Sequence, residues 1–172
     1  MADVLLIIDV QRMLVDALSP DRRTTLLGTL GPLLDRARAA GVPVVYVQHD
    51  GSPDDLIPGT PAWEIAGEIA PRAGEAVVGK RFPDSFRETE LAGVLARIGA
   101  GDHVIAAGMQ TDFCVDATIR EAARRGYRVT LVEDAHATYA SNGQSEEQIR
   151  EEVHREARAR GVRLVPAADL FA

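Results

Sequence analysis

The feature that most constrains the fold is an alternation, along the whole chain, of short apolar runs with longer stretches of helical periodicity. The apolar runs are continuous rather than alternating in polarity, which is typical of strands covered on both faces. Predicted strands cover residues 4–8, 44–47, 76–78, 103–107, 128–132 and 162–165. Predicted helices lie between them, at residues 24–40, 88–98, 113–125 and 146–160.

This alternation predicts parallel strands joined by crossover helices, and such crossovers are right-handed in nearly all proteins. A length of 172 residues suits one domain. We therefore predict a single α/β domain over residues 1–172, doubly wound and Rossmann-like. Its parallel sheet would have about six strands and carry helices on both faces.

Charge and cysteine content exclude several classes of function. The chain has 19 Lys and Arg against 26 Asp and Glu, a net charge of −7, so neither a nucleic acid nor a membrane is an expected partner. The one cysteine allows no disulfide and no cysteine zinc cluster within the chain, and it fits a reducing compartment. The first apolar run stops at Asp9, too early for a signal peptide or a membrane span, so we expect a cytoplasmic protein.

Three reactive side chains follow predicted strands. Asp9 follows the first strand and Lys80 the third, while Cys114 lies near the start of the helix after the fourth. We expect these groups to meet, because the carboxyl ends of parallel strands share one edge of the sheet. With Thr111 as the expected N-cap, the helix dipole and the Lys80 ammonium would lower the pKa of Cys114. Asp9 would act as the general base, which predicts nucleophilic catalysis by the thiol.

Two segments and Lys80 carry a resemblance to a known family. The segments are Leu-Ile-Ile-Asp-Val-Gln at 6–11 and Gly-Met-Gln-Thr-Asp-Phe-Cys-Val at 108–115. Together they resemble the isochorismatase-like cysteine hydrolases, a superfamily that includes nicotinamidases and N-carbamoylsarcosine amidohydrolases. The resemblance extends over essentially the whole chain. It implies a catalytic triad made of Asp9, Lys80 and Cys114.

The resemblance also implies backbone features and an activity. It places a cis peptide bond between Met109 and Gln110, and an oxyanion hole formed by the amides of Gln110 and Cys114. Isochorismatases proper cleave an enol ether and often lack the cysteine, so Cys114 favours hydrolysis of a C–N bond through an acyl-enzyme. An enol-ether hydrolase is the alternative enzyme. A flavodoxin-like binding domain with an inert thiol is the alternative without catalysis.

The sequence departs from nicotinamidases where those relatives bind a divalent metal. They carry an Asp-x-His element after the second strand and a further histidine in the next loop. Here residues 48–51 read Gln-His-Asp-Gly, and residues 50–72 contain no histidine. We therefore predict that the chain uses no metal and no other cofactor, and the departure argues against nicotinamide as its substrate.

Loops around the strand ends supply candidates for contact with a small-molecule substrate: Gln11, His49, Trp63, Phe86 and Phe113. An aromatic and apolar lining suits a small flat or cyclic amide. The irregular segment 50–72 and the narrow apolar stripe of the last helix, at Ile149, Val153 and Ala157, both need cover. We therefore predict a homo-oligomer, with a lid formed by segment 50–72 over its own site as the alternative.

Overall fold

The computed structural model describes residues 2–51 and 55–171, which form one six-stranded parallel sheet with its helices. The strands are β1 (Ala2–Ile8), β2 (Val44–His49), β3 (Ala76–Lys80), β4 (Ala100–Met109), β5 (Arg128–Ala137) and β6 (Arg163–Val165). Their order across the sheet is β3-β2-β1-β4-β5-β6. The chain therefore starts in the middle, winds to one edge, and returns to wind to the other. The predicted doubly wound α/β fold is confirmed.

Helices cover both faces of this sheet: α1 (Arg12–Asp16), α2 (Pro20–Ala39), α3 (Leu91–Arg97), α4 (Asp116–Arg124) and α5 (Glu146–Ala159). One hydrophobic cluster joins α2 to Leu5 and Ile7 of β1. The other joins α3, α4 and α5 to Val4, Leu6 and Ile8. Because successive side chains of a strand point to opposite faces, a central strand with two covered faces is apolar throughout.

Four of the six strands, β2, β3, β4 and β5, extend further at their carboxyl ends than the apolar runs predict. β2 continues through Gln48 and His49, and β3 ends at Lys80. His49 pairs with Lys80 across the two strands, and this backbone pairing maintains the strand whatever the polarity of its side chains. Apolar periodicity does not predict α1 either, since its five residues are too few to show a helical period. No helix within residues 2–51 and 55–171 combines the length and apolarity needed to cross a membrane.

Most of the apolar surface that was expected to need a partner subunit is covered within the chain. The apolar stripe of α5 is buried at all three of its positions, Ile149, Val153 and Ala157. The described part of segment 50–72 packs on its own subunit, where Gln11 and Ile65 form an antiparallel bridge. Residues 52–54, which include Pro53, lie outside the described part. The stripe of α5 therefore gives no reason for a homo-oligomer, whereas Ile57 of segment 50–72 is exposed, and the homo-oligomer stays a prediction.

Candidate active site

The reactive groups meet where the chain reverses its direction of winding, between β1 and β4. Ile8 pairs with Gly108 there, and a Cβ at position 108 would lie 2.0 Å from the carbonyl oxygen of Ile8. Only glycine fits this close approach, and its φ of +127° is one that other residues avoid. The peptide bond between Met109 and Gln110 is cis, as the resemblance to the isochorismatase-like cysteine hydrolases implies. A π-helical turn, Thr111–Val115, then carries Cys114 and continues into α4.

The ammonium of Lys80 is the centre of the site. Its side chain is completely buried, and Nζ lies 2.7 Å from Asp9 Oδ2, 2.9 Å from His49 Nδ1 and 3.2 Å from Cys114 Sγ. An ammonium has three hydrogens, and these three acceptors use all of them. A buried charge is stable only when it is paired and hydrogen-bonded in this way. The structure thus brings together the three residues expected at the strand ends and adds His49.

Asp9 and Cys114 are placed to share one proton. Burial raises the pKa of the Asp9 carboxyl above its usual range, and Lys80 opposes this shift. Burial, followed by the charge of Asp9, raises the pKa of the Cys114 thiol to about 12, again against Lys80. The expectation of a lowered thiol pKa is therefore wrong, because desolvation outweighs the attraction of the ammonium. The raised pKa of Asp9 makes its carboxylate the candidate acceptor for the thiol proton.

The carboxylate has an atom free for that proton. Asp9 Oδ1 is buried and has no hydrogen-bond partner within residues 2–51 and 55–171, whereas Oδ2 is bound to Lys80. An unpaired buried carboxylate oxygen is costly, and it gains a partner as soon as it accepts the thiol proton. The pairing with Lys80 leaves Asp9 suited to the role of base.

The N-cap of the helix after β4 lies one residue earlier than predicted. Gln110 is the residue before its first turn and makes no side-chain cap. Thr111, expected as the N-cap, is fully buried, and its Oγ1 lies 2.9 Å from Nδ1 of His136 on β5. A buried histidine requires such a partner, so Thr111 makes a tertiary contact instead of a cap.

A metal ion does not fit this site, although three ligand-type atoms converge in it. One atom each of Asp9, His49 and Cys114 lies within 4.8 Å of the other two. Nζ of Lys80 lies within hydrogen-bond distance of all three residues. A divalent ion bound to them would sit against this ammonium, and like charges at such a distance repel strongly. The donor set is therefore organised around a cation that the protein itself supplies.

Trp63 is held beside the site by three side chains. Its carbonyl oxygen accepts hydrogen bonds of 2.9 Å from the amides of Gln11 and Gln48, and its indole donates one of 2.9 Å to Asp50. The buried amide of Gln11 also exchanges two hydrogen bonds with the backbone of His49. Gln11 therefore joins the ends of β1 and β2 to Trp63, which corrects its predicted role in substrate contact. Trp63 and His49 stay predicted substrate contacts.

The two phenylalanines proposed for the substrate wall lie in different places. Phe86 is buried and stacks on Tyr127, just before β5, with ring centroids 6.0 Å apart. This is the amino edge of the sheet, opposite the edge that carries Cys114, so the prediction of a substrate contact for Phe86 is wrong. Phe113 precedes Cys114 and is 55% exposed, and it stays a predicted substrate contact.

Sequence reasoning missed the residues that hold these elements in place. Gln48 and Asp50 position Trp63, and His136 contacts the turn of Cys114. The available signal was their location at the carboxyl ends of β2 and β5, where polar side chains face the site. Which backbone or side chain each would bind could not be read from that location.

A doubly wound sheet with a buried carboxylate, a buried ammonium and a partly buried thiol at its carboxyl edge defines an α/β protein with a cysteine-centred site. The model of the isochorismatase domain matches residues 3–169, so the chain belongs to the isochorismatase family. Streptothricin hydrolase from Streptomyces noursei is 42% identical in an alignment of 138 residues that covers 78% of this chain. The alignment covers about half the length of two streptothricin hydrolases from this organism, 54% of one and 49% of the other.

Two solved structures extend the comparison over nearly the whole chain. An isochorismatase from Pseudomonas putida KT2440 is 31% identical with a TM-score of 0.89, covering 98% of this chain and 89% of that one. N-carbamoylsarcosine amidase from Thermoplasma acidophilum is 25% identical with a TM-score of 0.85, and each chain is covered completely. The fold is therefore shared over its full extent.

Proposed function

We propose that this protein is a metal-independent cysteine hydrolase that cleaves a C–N bond of a small molecule, in an amide, lactam or ureide. The observation that carries the proposal is the buried ammonium of Lys80, in contact with both Asp9 and Cys114. A thiol beside a carboxylate and a fixed cation has what nucleophilic attack on a carbonyl requires. Relatives named as a streptothricin hydrolase and an N-carbamoylsarcosine amidase support this chemistry.

The first half of the reaction forms a thioester. Sγ of Cys114 attacks the carbonyl carbon, and its proton passes to Asp9. The carbonyl oxygen takes the negative charge, and the backbone amides of Gln110 and Cys114 are proposed to stabilise it. When the tetrahedral intermediate collapses, the C–N bond breaks and Asp9 gives its proton to the leaving nitrogen.

The second half consumes water. Asp9 takes a proton from a water molecule, whose oxygen attacks the thioester carbon, and the C–S bond then breaks. The proton returns from Asp9 to Cys114, and the carboxylic or carbamic product leaves. Lys80 stays protonated throughout and keeps Asp9 and Cys114 in register.

A panel of small amides, lactams, ureides and one enol ether tests the proposal on the purified protein. We expect at least one C–N substrate to release ammonia or amine or, if it is a lactam, to open its ring to an amino acid. An acyl adduct on Cys114 should appear in the intact mass under turnover. Turnover of the enol ether alone would replace the proposal with the alternative hydrolase. No turnover of any member of the panel, together with no adduct on Cys114, would favour a binding domain.

Chelators should leave the C–N hydrolysis found in this panel unchanged. The reason is that Lys80 occupies the position a metal would take among Asp9, His49 and Cys114. The measurement is activity and bound metal after dialysis against EDTA and 1,10-phenanthroline. Activity that disappears with stoichiometric zinc or iron and returns on adding it back would contradict the proposal.

A further inference from the structure

The turn that carries Cys114 is attached to β5 and to the residue that follows it by two side-chain hydrogen bonds. Oγ1 of Thr111 lies 2.9 Å from Nδ1 of His136, and the hydroxyl of Thr138 donates to Oδ1 of Asp112 at 2.5 Å. Thr111, His136 and Thr138 are all buried. Both bonds thus fix the beginning of the turn, three and two residues before the nucleophile.

A second histidine supports the first of these bonds from behind. Nε2 of His136 lies 2.9 Å from Nε2 of His154 on α5, and the two rings meet edge to face. A hydrogen bond between two imidazole nitrogens needs one N–H and one lone pair, so the two facing nitrogens cannot both be protonated. The result is a continuous chain of hydrogen bonds from α5 through β5 to Thr111.

The surroundings keep this pair of histidines neutral. Burial, then His154 and Arg150, lower the pKa of His136 to about 3. Burial and then Arg150 lower the pKa of His154, and Arg158 acts in the same direction while Glu133 and Glu147 oppose it. At neutral pH one ring therefore donates and the other accepts.

We propose that His136, supported by His154, is a positioning residue that holds Thr111 and thereby keeps Sγ of Cys114 in contact with Lys80. The contact to be kept is the 3.2 Å between Nζ and Sγ. Phe113 in the same turn is exposed and gives little anchorage. The consequence of this positioning role for catalysis rests on the proposed function, but the effect of His136 on the thiol of Cys114 can be measured without any substrate.

The chain offers a matched control for this arrangement. Thr130, also on β5, is buried, and its Oγ1 lies 2.8 Å from Nε2 of His103. This second threonine–histidine pair lies towards the amino ends of the strands, on the side away from Cys114, because Thr130 follows the start of β5 by two residues. Removing the hydroxyl of Thr130 breaks the same kind of hydrogen bond and leaves the turn of Cys114 unchanged.

The experiment measures the rate constant for alkylation of Cys114 by iodoacetamide near neutral pH, followed by intact mass. There is one cysteine, so the adduct reports on that residue alone. We expect Thr111→Val to lower the rate constant roughly 10-fold, because a displacement of about 1 Å at a reacting group costs up to 100-fold. Thr111→Ser, which keeps the hydroxyl, should restore it. Thr130→Val should lose about as much thermal stability as Thr111→Val and keep the wild-type rate constant for alkylation of Cys114.

Equal losses of rate in Thr111→Val and Thr130→Val would overturn the proposal, because they would indicate general loosening. A wild-type rate in Thr111→Val would overturn it as well. Should Thr111→Val fail to fold, the same test can be made at His154 on α5. His154→Leu should slow the alkylation of Cys114, and His154→Gln, which keeps a polar partner for His136, should restore it. Slow alkylation in Thr111→Val together with no amide turnover by the wild-type protein would contradict the proposed function and leave this inference standing.

Discussion

Replacing Cys114 with alanine is expected to reduce C–N hydrolysis by a factor on the order of 10⁴ or more, as removal of a nucleophile does in other covalent hydrolases. The reason is that no other thiol exists in the chain, and the facing groups are a carboxylate and an ammonium that already hold each other. The measurement is kcat on the best substrate of the panel, together with the intact mass under turnover. Wild-type protein should show an acyl adduct and Cys114→Ala should show none.

Folding controls separate loss of chemistry from loss of structure. Cys114→Ala should retain the wild-type free energy of unfolding to within about 1 kcal/mol, since it removes one partly buried sulfur atom. Phe113→Ala is the matched variant from the same turn. It should change KM more than kcat, because Phe113 is exposed beside the nucleophile. Substantial turnover by Cys114→Ala would refute the acyl-enzyme.

Replacing Lys80 with methionine should abolish activity and also destabilise the fold by about 3–5 kcal/mol at neutral pH, the usual cost of breaking a buried ion pair. Methionine fills similar space but provides none of the three hydrogen bonds, so Asp9 is left charged and buried. Urea unfolding measures the loss of stability. Alkylation of Cys114 measures the loss of thiolate.

The pH dependence of this destabilisation follows from Asp9. Burial raises the pKa of its carboxyl, and removing the opposing charge of Lys80 raises that pKa further. A carboxyl whose pKa is raised by folding stabilises the folded state at low pH and loses this contribution as the pH rises through the folded pKa. The deficit of Lys80→Met should therefore be largest at high pH and shrink on acidification.

A double variant sharpens this second prediction. Asp9 has a positive φ of 50°, which asparagine also tolerates, so Asp9→Asn removes the charge without a new backbone conflict. The double variant Asp9→Asn with Lys80→Met should recover much of the stability that Lys80→Met alone loses, and none of the activity. Additive losses of stability would show that the two side chains do not act as a pair.

The fold class and the three residues at the centre of the site can be predicted from the sequence. Continuous apolar runs mark strands covered on both faces, and this property is local because it depends on one strand and its own periodicity. Parallel strands then bring their carboxyl ends to one edge whatever their detailed packing. Asp9, Lys80 and Cys114 could therefore be predicted to converge from their positions after strands alone.

The contacts between side chains around that centre depend on how the strands and helices pack, and they could not be predicted from the sequence. Between the pairs Ala106–Leu131 and Gly108–His136, β4 advances two residues while β5 advances five, and this irregular register places His136 beside the turn of Cys114. Such a shift depends on the packing of two strands against α5, and residues distant in sequence leave no periodic signal of it. The same reason explains why Phe86, placed by sequence near the site, packs on Tyr127 at the opposite edge of the sheet.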